Sequence, residues 1–312
     1  MRLAGRRVLI TGATGGIGGA IAREFVARGC AVTVTGRRER DLERLVSELG
    51  PPARGCIAEL TNLEEAHELL ARAGPIDVLV ANAGVEIPQD LAVVSEAELE
   101  EAIRINLLAP AALARAALAP MKKRGEGHIV FMSSVAGLVA TSGNGSVYTA
   151  TKWGLRGLGL ALRQELYGTG IGVSTIFPGP VRGAGMFART HVALPRGAGT
   201  VSPQDVARSV ARAVEQDRPE ITVAAGSVRV SAMIGGVAPV LVGRLARLAG
   251  AARVREAMLN ASNRGEGTEP GDLQRRSKRN TTHGLKVAMA RRMGSSTTEG
   301  AGRTSASRLT RP

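Results

Sequence analysis

Residues 7–18 read RVLITGATGGIG, a run of branched aliphatic residues that passes straight into four glycines within seven positions. The first half predicts a buried strand over 7–11, and the small and apolar residues after it predict a helix over 16–27. A glycine-rich turn between strand and helix brings main-chain N–H groups and the positive helix end onto a pyrophosphate. Gly12 permits the tight turn, Gly16 the close backbone approach and Gly18 the packing of helix on sheet, with Thr14, Gly15 and Ile17 completing the loop. In a chain with 40 glycines such a pattern carries little by itself. Its position at the first strand-to-helix junction is what points to a dinucleotide.

Outward from this loop the same alternation continues. Strands are expected over 31–35, 54–58, 76–81, 129–132, 172–177 and 220–223. Helices are expected over 40–49, 61–71, 110–123, 147–167 and 203–216, with a further one opened by the capping box Ser95/Glu98. Seven strands, all read as buried and separated by helices, predict an α/β fold: a doubly wound (Rossmann) parallel sheet with helices on both faces. One domain is expected over 1–262. Beyond it, Ser, Thr, Gly and Arg dominate, and 263–312 reads as a disordered basic tail.

Charge and composition narrow the partners. The net charge is +14, but residues 261–312 hold 11 Lys+Arg against 4 Asp+Glu, so half of the excess lies there. The rest is spread without interleaved aromatics, and no nucleic acid is expected as a partner. Cys30 and Cys56 sit in apolar runs and are expected to be reduced and buried, as in a cytoplasmic protein. The four histidines, His67, His128, His191 and His283, show no metal-ligand spacing. The basic start and first apolar run are too short for a secretory signal, and the apolar stretch 230–243 is too short to span a bilayer. The extension 229–262 is apolar and then amphipathic. Three placements stay open for it: covering a pocket, an oligomer interface, or peripheral contact with a membrane.

The chain has two tyrosines, and one of them, Tyr148, stands one helical turn before Lys152 in VYTATKW, residues 147–153. Side chains four apart on a helix are neighbours. A phenol titrates near 10, and an adjacent ammonium, together with the cationic ring of an oxidised cofactor, is expected to lower that value, so that the group can exchange a proton as general acid or base.

Taken in order, TGATGGIG, ANAG (81–84), Asn106 in RINLLAP, FMSSVAG (131–137), YTATK (148–152) and PGPV (178–181) resemble the short-chain dehydrogenase/reductase family over about residues 5–225. The resemblance implies hydride transfer between a nicotinamide and a carbonyl or secondary alcohol, in a homodimer or homotetramer. It implies Asn106, Ser134, Tyr148 and Lys152 as the catalytic set, with Ser133 a second candidate for the serine. Asn106 would hold a water that links Lys152 to solvent, and Lys152 would also hold the nicotinamide ribose. Asn82, Ala83 and Gly84 would line the adenosine ribose, Glu59 and Leu60 the adenine, and Pro178, Gly179 and Val181 the carboxamide. Two departures are visible. Ser134 precedes Tyr148 by 14 positions, one more than usual, and Gly183 stands where members commonly carry Thr.

The end of the second strand bears on the cofactor. Gly36 stands where NAD-preferring members carry Asp, and Arg37 and Arg38 follow. Arginine suits a 2′-phosphate, so NADP(H) is favoured over NAD(H), with Arg37 as the main contact. Residues 182–200 are expected to form a substrate lid, with Met186, Phe187 and Leu194 lining it and Gly197 and Gly199 as hinges. Few charged groups are expected to face the pocket, which favours a hydrophobic substrate. The runner-up readings are a non-catalytic NADP-binding scaffold or sensor of the same fold, and a nucleotide-sugar epimerase or dehydratase.

Overall fold

The computed structural model describes residues 1–87, 90–140, 145–184 and 199–248, apart from the side chains of 246–248. The expected lid (182–200) falls largely outside them, as do its lining residues, the hinge Gly197, the end of the extension and the whole basic tail.

Seven parallel strands run in the order β3-β2-β1-β4-β5-β6-β7. They are β1 (Arg7–Ile10), β2 (Ala31–Gly36), β3 (Arg54–Ile57), β4 (Val78–Ala81), β5 (Gly127–Met132), β6 (Ile171–Pro178) and β7 (Glu220–Val223). Between them lie α1 (Gly16–Ala27), α2 (Glu39–Leu49), α3 (Leu63–Ala73), α4 (Glu96–Ile103), α5 (Ala109–Arg124), α6 (Ser146–Glu165) and α7 (Pro203–Gln216). After β7 come α8 (Gly226–Gly235) and α9 (Pro239–Leu248). The chain order reverses between β1 and β4. In an open α/β sheet that reversal opens a crevice at the strand C-termini.

The period-two alternation of the strands sorts the core into two layers. Val8, Ile10, Val32, Val34, Val78, Val80, Val130 and Ile176 point to the side covered by α1, α2 and α7. Leu9, Leu79, Ala81, Ile129, Phe131 and Val173 point to the side covered by α3, α5 and α6. One expectation fails: β3 is an edge strand, with Arg54, Gly55 and Ile57 exposed. Among the described residues only β2 pairs with it, so a single neighbour covers it. Cys56, on the same strand, is half-buried, whereas Cys30 is buried as expected.

The continuous helical run Glu96–Arg124 is long and apolar enough by composition to cross a bilayer. Its apolarity has another explanation here: Leu113, Ala117 and Met121 are fully buried in the core beside Leu69 and Ile129. A π-helical segment, Arg104–Leu108, interrupts this run and carries Asn106. Such segments are rare and recur at functional sites.

Candidate active site

β1 ends at the glycine loop. Gly12 has φ +63°, and a Cβ there would lie 2.8 Å from the Ala83 Cα. A Cβ on Gly18 would collide with the Gly12 carbonyl and with the Ala13 Cα. Only glycine fits either place. The loop is clasped by the segment after β4. The Thr11 hydroxyl accepts hydrogen bonds from the Asn82 and Ala83 main-chain N–H groups, both at 3.0 Å. The Asn82 side chain donates in return to the Thr11 and Gly12 carbonyls at 2.9 and 3.2 Å. Asn82, which the resemblance places at the adenosine ribose, here braces the glycine loop. α1 opens on Gly15 with no side-chain cap and no acid in its first turn. Its N–H groups are available to an anion.

At the other side of the crevice, Asn106 is fully buried. Its Oδ1 accepts from the Val85 N–H and its Nδ2 donates to the Val85 carbonyl, each at 2.8 Å. A weaker bond joins Nδ2 to the Thr151 hydroxyl at 3.3 Å. The amide thus acts first as a clamp that ties the π-helical segment to the chain after β4 and to α6. A Cβ on Gly84 would lie 3.1 Å from the Asn106 Oδ1 and 3.5 Å from the Lys152 Nζ, so these three residues meet at one point.

Ser134, at the end of β5, lies near enough to Tyr148 to act on its phenol and accepts from the Ala136 N–H at 3.2 Å as it opens a short 3₁₀ turn. Ser133 turns the other way and donates to the Lys152 carbonyl at 2.9 Å, a structural bond. The extra residue before Tyr148 therefore leaves Ser134 in reach. Residues 141–144, within the connecting loop, lie outside the described residues. Lys152 is buried, its Nζ donating to the Met132 carbonyl at 2.9 Å and lying 5.5 Å from the Tyr148 ring centroid.

The protonation pattern corrects one expectation. The Tyr148 phenol is held above its usual value near 10, not below it, by burial first and by Glu86 second, with Ser134 pulling the other way. Lys152 faces the ring and spends a proton on Met132, while its own amine is pushed down to about 8 by burial, with Glu86 opposing. Glu86 is a charged neighbour of the pair that the expected site did not include. A carboxylate two residues after ANAG was the available signal, and sequence reasoning passed over it.

The remaining expected contacts line the same edge of the sheet. Arg37 and Arg38 follow β2 and are exposed; Arg38 pairs with Asp41 at 2.5 Å. Pro178 ends β6, the Gly179 N–H donates to the Val223 carbonyl at 2.9 Å, and Val181 is buried in a bridge with Val201. Gly183 has φ +66°, a left-handed conformation that Thr would adopt only under strain. Next to it, Ala184 packs so near Gly16 that a Cβ on that glycine would lie 2.6 Å from the Ala184 Cβ. Among the other histidines, His128 is buried in β5 against Ser174, and His67 contacts Arg115; His191 and His283 lie outside the described residues.

This arrangement agrees with comparisons to known proteins. Residues 6–192 match the family model described as short chain dehydrogenase. The chain belongs to the short-chain dehydrogenase/reductase family. It is 35% identical over 257 residues to the ketoacyl reductase HetN of Nostoc sp., covering 78% of this chain and 89% of that protein. It is 38% identical over 181 residues to the NADP-dependent 3-hydroxy acid dehydrogenase YdfG of Escherichia coli, covering 56% and 73%. A solved short-chain dehydrogenase/reductase structure superposes with a TM-score of 0.68 at 29% identity, covering 73% of this chain and all of that one.

As a short-chain dehydrogenase/reductase this chain is an oxidoreductase that binds a nicotinamide cofactor. Its residues fit that group. Gly12, Gly16 and Gly18 have no room for side chains, the end of α1 is uncapped, and the Glu59 Oε1 is buried with no hydrogen-bond partner among the described residues. Glu59, beside the buried Leu60, would meet the adenine edge with that oxygen, and the loop 12–18 would hold the pyrophosphate.

Proposed function

We propose that this enzyme is an NADP(H)-dependent reductase of a hydrophobic carbonyl substrate of the ketoacyl class, with Tyr148 as general acid. The observation that carries the reading is the Lys152 amine lying 5.5 Å from the Tyr148 ring centroid, with Ser134 beside the phenol. The two hydroxyls stand on the same side of the crevice, where each could meet a carbonyl oxygen. When bound, the nicotinamide supplies a hydride to the carbonyl carbon. Ser134 then donates to the carbonyl oxygen and holds it against Tyr148. The raised phenol stays protonated at neutral pH, ready to pass its proton to the oxygen as negative charge develops there. The Lys152 ammonium stabilises the phenolate that is left.

Support for NADP(H) comes from the end of β2. A Cβ on Gly36 would lie 2.6 Å from the Thr14 Cγ2, so an acidic residue there would displace the glycine loop. Arg37 is exposed and forms no ion pair among the described residues, which leaves its guanidinium open to a 2′-phosphate. The similarity to YdfG, named as NADP-dependent, supports the same reading. The similarity to HetN supports a ketoacyl substrate.

Titrating the protein with NADPH and NADH tests the cofactor half: NADPH binds at least tenfold more tightly, and Arg37→Ala removes most of that margin. A clear preference for NADH would overturn it. A panel of ketoacyl thioesters, simple lipophilic ketones and sugars tests the substrate half. Sugars turned over faster than the acyl compounds would overturn that part alone.

A further inference from the structure

α8 and α9 are built the wrong way round for a surface that faces water. Their inward side is small. Ala232 and Gly235 are buried on α8 and Val242 on α9. A Cβ on Gly235 would lie 2.5 Å from the Val139 Cβ, so the helix backbone sits directly on the segment that follows Ser134. The outward side carries Met233, Ile234, Val237, Val240, Leu241 and Leu245, every one exposed, with Val237 at 89% and Met233 at 66%. Met233 and Ile234 end α8, Val237 stands in the turn between the helices, and Val240, Leu241 and Leu245 follow on α9, so the exposed apolar residues run on from one helix to the next. An apolar face this continuous marks a docking surface.

Charge selects what docks. Residues 221–255 contain five arginines and no Asp or Glu. Arg229 and Arg244 flank the apolar face, are exposed, and form no ion pair among the described residues. A second copy seated by the same face would set this acid-free segment against itself and give the arginines no carboxylate from it. An acidic protein would satisfy the arginines and leave the broad apolar centre to be matched separately. An anionic bilayer supplies both together: acyl chains for the face, and headgroup phosphates for arginines that reach outward from it. We propose that α8–α9 is a peripheral docking face that seats this enzyme on anionic membranes. Docking does not depend on which carbonyl compound the site reduces.

The test is sedimentation of the full chain with vesicles of phosphatidylcholine, alone or mixed with phosphatidylserine, at physiological salt. The chain co-sediments with the mixed vesicles. Val237→Ser/Leu241→Ser lowers partitioning at least roughly tenfold, although the basic segment 263–312 is unchanged. Arg229→Gln/Arg244→Gln lowers it roughly 30-fold, about 1 kcal/mol for each charge at an anionic surface. All substituted positions are exposed, so circular dichroism and NADPH turnover in solution stay as in the parent. Three results would overturn the proposal. One is no binding by the parent chain. Another is undiminished binding by the serine variant, which would assign attachment to the basic segment. The third is a serine variant that sediments as a smaller oligomer than the parent, which would assign the face to a second copy.

Discussion

Ser134 and Lys152 show how much a single side chain's surroundings decide. Ser134→Ala removes the hydroxyl that meets the substrate oxygen beside Tyr148, and turnover falls roughly 10²-fold, the scale seen when one donor to a developing oxyanion is lost. Ser133→Ala instead removes a bond to the Lys152 carbonyl and changes turnover far less. Steady-state kinetics on the two variants separates the roles, and equal losses would contradict the assignment. Lys152 gives the pH dependence. Its amine titrates at about 8, and its charged form is the one that supports proton transfer from Tyr148. Carbonyl reduction is therefore flat below pH 8 and declines above it. A rate profile that rises through pH 8 would show the deprotonated amine to be the working form. The identity of these residues was legible in the sequence through their motif and spacing. The state of the phenol was not, because burial and Glu86 are properties of the folded site, and they raise a phenol that Lys152 and an oxidised nicotinamide were expected to lower.

At the scale of elements, the strand-to-helix junctions were the legible part. Glycines 12 and 18, the capping box at Ser95 and the alternating strands each announce a local geometry that the fold then uses. Gly18→Ala tests this: the new methyl has no space beside the Gly12 carbonyl, and overpacking of 1–3 kcal/mol falls on the loop itself. NADPH affinity drops about tenfold or more, measured by fluorescence titration. The π-helical segment was not legible, since it depends on a tertiary bond pattern centred on Asn106 and not on any propensity of RINLL. Asn106→Ala leaves both main-chain groups of Val85 without their partner and costs about 2 kcal/mol in urea unfolding. It also lowers turnover by loosening Gly84 against Lys152. Unchanged stability would show that the clamp contributes nothing. The exposure of β3 was likewise hidden, because strand order decides which strand lies at an edge.

Over the whole molecule, strand order gathers the site. Reversal between β1 and β4 brings the glycine loop, the segment 82–86 and the ends of β2, β3, β5 and β6 to one edge of the sheet. Stability answers to the interior as a unit, and His128 is its acid-sensitive point. Burial holds its imidazole neutral down to about pH 4, against 6.5 when exposed. Between those values the unfolded chain binds a proton that the folded chain refuses, so stability is complete above pH 6.5 and falls as the pH drops toward 4. The loss is at most about 3 kcal/mol. Urea unfolding from pH 7 to 4 shows it, and His128→Gln flattens the part of the curve that this residue owns. The central claim is that the convergence of Ser134, Tyr148 and Lys152 makes the site a carbonyl reductase driven by NADPH. The direct measurement is NADPH oxidation with a ketoacyl thioester by the parent chain and by Tyr148→Phe, with NADPH affinity measured on both. The parent turns over, and the variant loses 10²- to 10⁴-fold in kcat while binding NADPH within about threefold. A phenylalanine variant that reduces the thioester at the parent's rate would contradict the account.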